Sequence, residues 1–122
     1  MRVLLSIKPE FALRIFDGSK RYEYRRTIFK RNEVTTVVVY ASDPIKQVIG
    51  EFQIGEILHE EPEALWEKTA DHAGIAKKRF LKYFDNKSKG YAIEVKETRT
   101  YDIPILLNEL KVSWPPQSFT YL

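Results

Sequence analysis

The stretch from Gly18 to Arg26, Gly-Ser-Lys-Arg-Tyr-Glu-Tyr-Arg-Arg, is the tightest constraint on how this chain can fold. Its glycine ends a helix, and a short extended run follows. Strand side chains alternate between faces, so Arg21, Glu23 and Arg25 point one way while Tyr22, Tyr24 and Arg26 point the other. A carboxylate between two guanidinium groups is costly to bury unless the charges pair or meet a ligand. The tyrosines supply an inward-packing face. Such a strand belongs at the wall of a cleft that binds something polar and anionic.

The chain has 122 residues, enough for one hydrophobic core and too few for two, so residues 1–122 are read as a single domain. No apolar run approaches the ~20 residues that a membrane-spanning helix needs. The apolar stretch before Lys8 is too short for a signal peptide. With no cysteine, disulfides and thiol chemistry are excluded and a structural zinc site is not expected. His59 and His72 lack the spacing of a metal site and are read as surface residues. A cytoplasmic protein with no metal, no cofactor and no membrane partner fits these features.

Charge is unevenly spread along the chain. Residues 20–31 hold Lys20, Arg21, Arg25, Arg26, Lys30 and Arg31 against Glu23 alone, and residues 77–89 hold six basic residues against Asp85 alone. Between them, residues 56–67 carry five glutamates and no base. Nucleic acid is the usual partner of such a polarised surface. The structural alternative is two solvated faces balancing an acidic helix. The acidic face would also suit a protein partner in a regulatory complex, although no motif marks it as one.

Periodicity gives a mixed order of elements. Val3 to Ile7 reads as a short strand, and Pro9 opens a helix with Phe11, Ala12, Ile15 and Phe16 at helical spacing before Gly18. Residues 21–27 form the charged strand, and residues 35–40 a buried one rich in β-branched side chains. A long strand lies within residues 46–58, with Gly50 and Gly55 at expected bulges. Helices are expected over 62–70 and, following Gly74, over 75–84, and an alternating strand over 89–101. The tail from Ile103 to Leu122 is punctuated by prolines and reads as a strap anchored by Phe119 and Tyr121. Trp66 and Trp114 are read as packing residues. Predominant strands with interposed helices suggest an α+β domain built on a small curved barrel, with a ligand site at its mouth.

At this point the residues carry a family resemblance. Leu4-Leu5-Ser6-Ile7-Lys8-Pro9 leads a helix ending in Gly18, and the pattern Gly18-x-Lys20-x-x-Glu23-x-Arg25 follows. Then come Val39-Tyr40-Ala41-Ser42, Val48-Ile49-Gly50-Glu51-Phe52, Lys89-Gly90-Tyr91-Ala92-Ile93 and Pro115-Pro116-Gln117-Ser118-Phe119. In this order, over nearly the whole chain, they resemble the ASCH domain, a branch of the PUA-like β-barrels. The likeness is greatest to the group of predicted transcriptional regulators, some of which join this domain to a helix-turn-helix. No such segment is spare here, so a DNA-binding partner is expected to be a separate chain.

The resemblance implies a small PUA-like β-barrel with flanking helices and a cleft that binds RNA or a nucleotide-like ligand. It places Lys8, Lys20, Glu23 and Arg25 along that cleft, with Lys20 and Arg25 on phosphate. Glu23 would accept from a base amino group or hold Arg25. Tyr40 and Ser42 would stack on or hydrogen-bond to a base, and Gln117 and Ser118 would close the site. Each has a structural alternative: exposed charges for Lys20 and Arg25, an ion pair for Glu23, the core for Tyr40, and a turn for Ser42. The implied role is RNA or nucleotide binding in transcription- or translation-linked regulation. The alternative is a small hydrolase acting on a modified nucleoside or on RNA, with Lys20 and Glu23 as candidate catalytic groups. The acetylcytidine-hydrolase pattern of related proteins needs a threonine three residues after the lysine. This chain has Glu23 there, and Thr27 is seven residues away. That departure weighs against amide hydrolysis. Cleavage of RNA asks only for cations and a proton acceptor around the phosphate.

Overall fold

The computed structural model describes all 122 residues. Strand β1 (Arg2–Ile7) buries Val3, Leu4, Leu5 and Ile7, as its apolar run predicts. Pro9 opens α1 (Pro9–Asp17), where its fixed φ and missing N–H cost nothing in the first turn. Ala12 and Ile15 form the buried stripe of α1, and Gly18, at φ 90°, ends it in a left-handed conformation. The charged strand β2 (Tyr22–Arg25) is shorter than expected.

All six residues of β3 (Thr36–Ala41) are buried. Strands β4 (Gln47–Glu60) and β5 (Gly90–Ile105) are long, and their mutual register shifts near Gly50 and across residues 52–57 bend them. Between them, α2 (Pro62–Thr69) buries Leu65 and Thr69, and α3 (Lys77–Tyr83) buries Phe80. Helix α3 starts later than periodicity predicts because a 3-10 turn (Ala70–His72) and Gly74, at φ 64°, take up the connection. The tail adds a second 3-10 turn (Leu107–Leu110) and the two-residue strand β6 (Thr120–Tyr121), which periodicity does not reveal.

The strands form one sheet in the order β2-β5-β4-β3-β1-β6. Only β1 and β3 run parallel, and every other neighbouring pair is antiparallel. The sheet curls around a core that includes Val3, Leu5, Ile15, Val39, Phe52 and Ile93, and it stays half-open, with β2 and β6 as unpaired edges. A second cluster, with Tyr24, Leu65, Phe80 and Phe84, lies under α2 and α3. A third, with Leu4, Val38, Tyr40 and Val48, packs under the second 3-10 turn and the chain end. Phe119 sits edge-on to Phe29, and the Tyr121 hydroxyl accepts from the Lys30 backbone N–H at 2.9 Å, so the aromatic residues anchor the strap. Trp66 packs on Phe80 at 5.0 Å between centroids. Trp114 is 81% exposed, which corrects its reading as a packing residue: the chain around it leaves the sheet before the strap returns. No helix is long and apolar enough to cross a membrane.

Candidate functional site

A cleft of about 260 Å³ opens between the end of β1, the first turn of α1, strand β2, helix α3 and the strap. Lys20, Glu23 and Arg25 lie on its wall, with Lys8, Arg79 and Gln117 around them. Phe11, Tyr24, Ile75 and Tyr83 supply its apolar surface.

Lys20 is only 2% exposed. The turn after Gly18 carries it inward, and its backbone N–H donates to the Arg14 carbonyl at 3.0 Å. Its Nζ donates to the Ala73 carbonyl at 2.8 Å and lies 4.5 Å from the centre of the Tyr24 ring. Phe11 faces the same ammonium at 5.4 Å. Burial lowers the Lys20 pKa from 10.5 to about 8; the Glu23 charge opposes that shift and the Arg14 charge adds to it. Gly74 packs so closely on the Lys20 side chain that a Cβ there would lie 2.4 Å from Lys20 Cβ.

Glu23 is 6% exposed, and its Oε2 accepts from Arg25 Nη1 at 3.3 Å. The same Nη1 donates to the Ser6 carbonyl on β1 at 3.3 Å, and Nη2 donates to the Ser118 carbonyl on the strap at 2.7 Å. Arg25 therefore crosses the gap that the sheet leaves open. Its fork is engaged by protein oxygens, so the cations left to meet a ligand in the cleft are Lys20, whose Nζ uses one of its donors on Ala73, and the unpaired Lys8 at the rim. Arg21 is exposed and makes no ion pair with Glu23. Ser6 also presents a buried Oγ on the cleft wall with no hydrogen-bond partner.

The other expected residues separate into two groups. Lys8, exposed at the start of α1, and Gln117, on the strap, both line the cleft. Ser118 reaches the site through its backbone carbonyl on Arg25. Tyr40 and Ser42 do not line the cleft. Tyr40 is 4% exposed in the outer cluster, because it shares the face of Val38 on β3 while Val37 and Val39 face the inner core. Ser42 holds a turn, with its N–H on the Ile7 carbonyl and its carbonyl accepting from Ile45. Thr27 is exposed and off the wall, so it supplies no nucleophile to the cleft. Sequence reasoning missed Arg79, Tyr83 and Ser6. Arg79 and Tyr83, four residues apart in α3, share a helix face, and that spacing was the available signal. Arg79 pairs with Glu10 at 2.9 Å and covers the Phe11 ring at 4.7 Å.

A curled, half-open six-stranded sheet with flanking helices and a charged cleft at its open edge is the ASCH, PUA-like architecture. The chain belongs to the ASCH-domain family, and the family model described as Domain of unknown function (DUF365) matches residues 1–113. It is 31% identical over 123 residues to an ASCH domain-containing ribonuclease of Zymomonas mobilis subsp. mobilis, covering 98% of this chain and 82% of that protein. The crystal structure of ASCH from Zymomonas mobilis superposes with a TM-score of 0.90 at 30% identity, over 99% of this chain and 87% of that one. The large ribosomal subunit protein uL22 of Ureaplasma parvum serovar 3 is 28% identical over 120 residues, 98% of this chain. This chain spans only 39% of the length of that ribosomal protein.

Proposed function

We propose that this chain binds single-stranded RNA through the cleft and cleaves its phosphodiester backbone, acting in the cytoplasm. The observation that carries the proposal is Lys20, a buried ammonium with a lowered pKa, set beside buried Glu23 on the wall of an accessible cleft. Likeness to a protein named a ribonuclease supports the same reading. The cleft has room for about one nucleotide, so a base must leave its stack to enter, which a single strand permits and a duplex resists.

On this reading Glu23 accepts the proton of a ribose 2′-hydroxyl, and the freed oxygen attacks the adjacent phosphorus. The bond from phosphorus to the 5′-oxygen breaks, and Lys20 donates a proton to that leaving oxygen. The products are a 2′,3′-cyclic phosphate and a 5′-hydroxyl, with no net gain or loss of protons. The Lys20 charge also stabilises the phosphorane oxygens, and Arg25 holds the Glu23 carboxylate in place. A lysine with a pKa of about 8 keeps its proton at neutral pH and gives it up more readily than an ordinary lysine.

The test is cleavage of an end-labelled single-stranded RNA, with product analysis, by wild type, Lys20→Met and Glu23→Gln. Wild type should yield cyclic-phosphate ends, both folded variants should yield none, and a 2′-deoxy substitution at the scissile nucleotide should block the reaction. RNA bound by wild type without any product would reduce the chain to a binding module of transcription- or translation-linked regulation. Absence of binding would overturn both.

A further inference from the structure

Helix α3 has one face in the core, one face on the cleft and one face with no partner. Phe80 is buried. Arg79 and Tyr83 line the cleft. Lys78 and Lys82 lie opposite Phe80, both are exposed, and neither forms an ion pair, whereas Lys77 pairs with Glu63 and Arg79 with Glu10. No acidic residue occurs anywhere within α3. Helical geometry puts Lys82 next to Arg79, three residues earlier, and Lys78 one turn from Lys82. The two lysines are thus separated along the helix by about 6 Å. That spacing is close to the distance between successive phosphates of an extended single strand. Two unpaired cations on one helix face, starting at the rim of the cleft, repel each other in the free protein. A polyanion lying across them removes that repulsion.

We infer that Lys78 and Lys82 form a phosphate track that guides an RNA strand out of the cleft across α3, contacting two successive phosphates beyond the scissile one. The inference rests on the RNA reading above and adds the strand's path and the minimum length of substrate that uses it. A dinucleotide such as UpA carries only the scissile phosphate and has none to place on the track. A longer oligonucleotide reaches both lysines. Each neutralised single-strand phosphate contributes about 0.7 to the slope of log K against log salt. The pair therefore accounts for about 1.4 of the slope, equivalent to about 25-fold in affinity at 0.1 M salt.

The test compares wild type with Lys78→Gln/Lys82→Gln on a labelled 12-nucleotide single-stranded RNA and on the dinucleotide UpA, titrated from 0.05 to 0.3 M salt. A second double variant, Lys96→Gln/Lys111→Gln, removes the same charge elsewhere on the surface. The expected result is weaker 12-mer binding by about 25-fold at 0.1 M with a slope smaller by about 1.4. UpA affinity should match that of wild type, and the Lys96/Lys111 variant should bind both ligands normally. Unchanged 12-mer affinity, an equal loss on UpA, or an equal loss in the control variant would each overturn the track. Failure of wild type to bind either RNA would instead overturn the RNA reading itself, and the track with it.

Discussion

Replacing Lys20 by methionine should stabilise the fold while destroying the activity. Lys20 is buried with a pKa lowered to about 8 from 10.5, so the folded state binds its proton more weakly than the unfolded state does. The sign follows from linkage. Between the two pKa values the unfolded chain holds more protons than the folded one, so wild-type stability rises as pH increases through that window. Below about pH 8 the full cost is present, roughly 3 kcal/mol for a shift of this size. Cation–π contacts with Tyr24 and Phe11 offset part of it, at about 0.5–1 kcal/mol. Methionine keeps the volume, gives up the charge and places sulfur against the same two rings, but it leaves the Ala73 carbonyl without its donor at a cost of about 1 kcal/mol.

The net gain at pH 7 should be about 1 kcal/mol, or a rise in Tm on the order of 4 °C for a domain of this length. The advantage should have vanished by pH 9.5, because wild type gains about 2 kcal/mol as folded Lys20 loses its proton through the window above pH 8. Urea unfolding of both proteins at pH 7 and 9.5 reads this directly, beside RNA cleavage at pH 7. A Lys20→Met protein less stable than wild type at pH 7, or a difference that does not change with pH, would refute the claim that the site holds a strained ammonium.

Three further substitutions test the surroundings of Lys20. Gly74→Ala should cost about 2 kcal/mol, from a left-handed backbone and a Cβ driven against Lys20, and should lower cleavage although residue 74 does not line the cleft; thermal melts and turnover check both. Arg25→Lys should cost about 3 kcal/mol, because one ammonium cannot reach Ser6, Glu23 and Ser118 together and Glu23 loses its compensation; protease should then cut the strap sooner than in wild type. Ser6→Ala should leave stability within about 0.5 kcal/mol of wild type or raise it slightly, since the hydroxyl has no partner in the protein, while RNA affinity measured by titration falls.

The parts of this structure that were legible in the sequence are those fixed by local chemistry. Pro9 and Gly18 bracket α1, and the β-branched run before Tyr40 makes β3 a buried strand, because each depends on neighbours in the chain. Tyr40 shows the limit. It has the same parity as Val38, so alternation alone assigns it to the face opposite Val37 and Val39. The apolar run implied that both faces are covered; that the cover of the outer face is the chain end folding back over β3 is visible only in the structure. The Lys20-Glu23-Arg25 spacing marked a charged wall. The depth at which Lys20 lies depends on Ala73 and Gly74, more than fifty residues later, and no window of sequence connects them. Arg79 joins the wall for a similar reason: the turn at 70–74 sets where α3 begins and hence which of its faces meets the cleft.

The open edge of the sheet explains why the cleft is where it is. A closed barrel would satisfy the backbone of every strand by ladder hydrogen bonds and leave no polar groups at the seam. Here β2 and β6 remain unpaired to each other, and the carbonyls of Ser6 and Ser118 face the gap between them. Carbonyls left outside any ladder need donors, and a donor here must span two elements at once. A guanidinium does this with a rigid fork that also neutralises a carboxylate, which ties the position of Glu23 to the position of the strap. The ion pair that looked costly on a single strand is thereby the joint that holds the seam, and the space beside it stays free for a ligand. Stability and function draw on the same few atoms. A change that closes the seam with apolar packing should strengthen the fold and remove the site in one step.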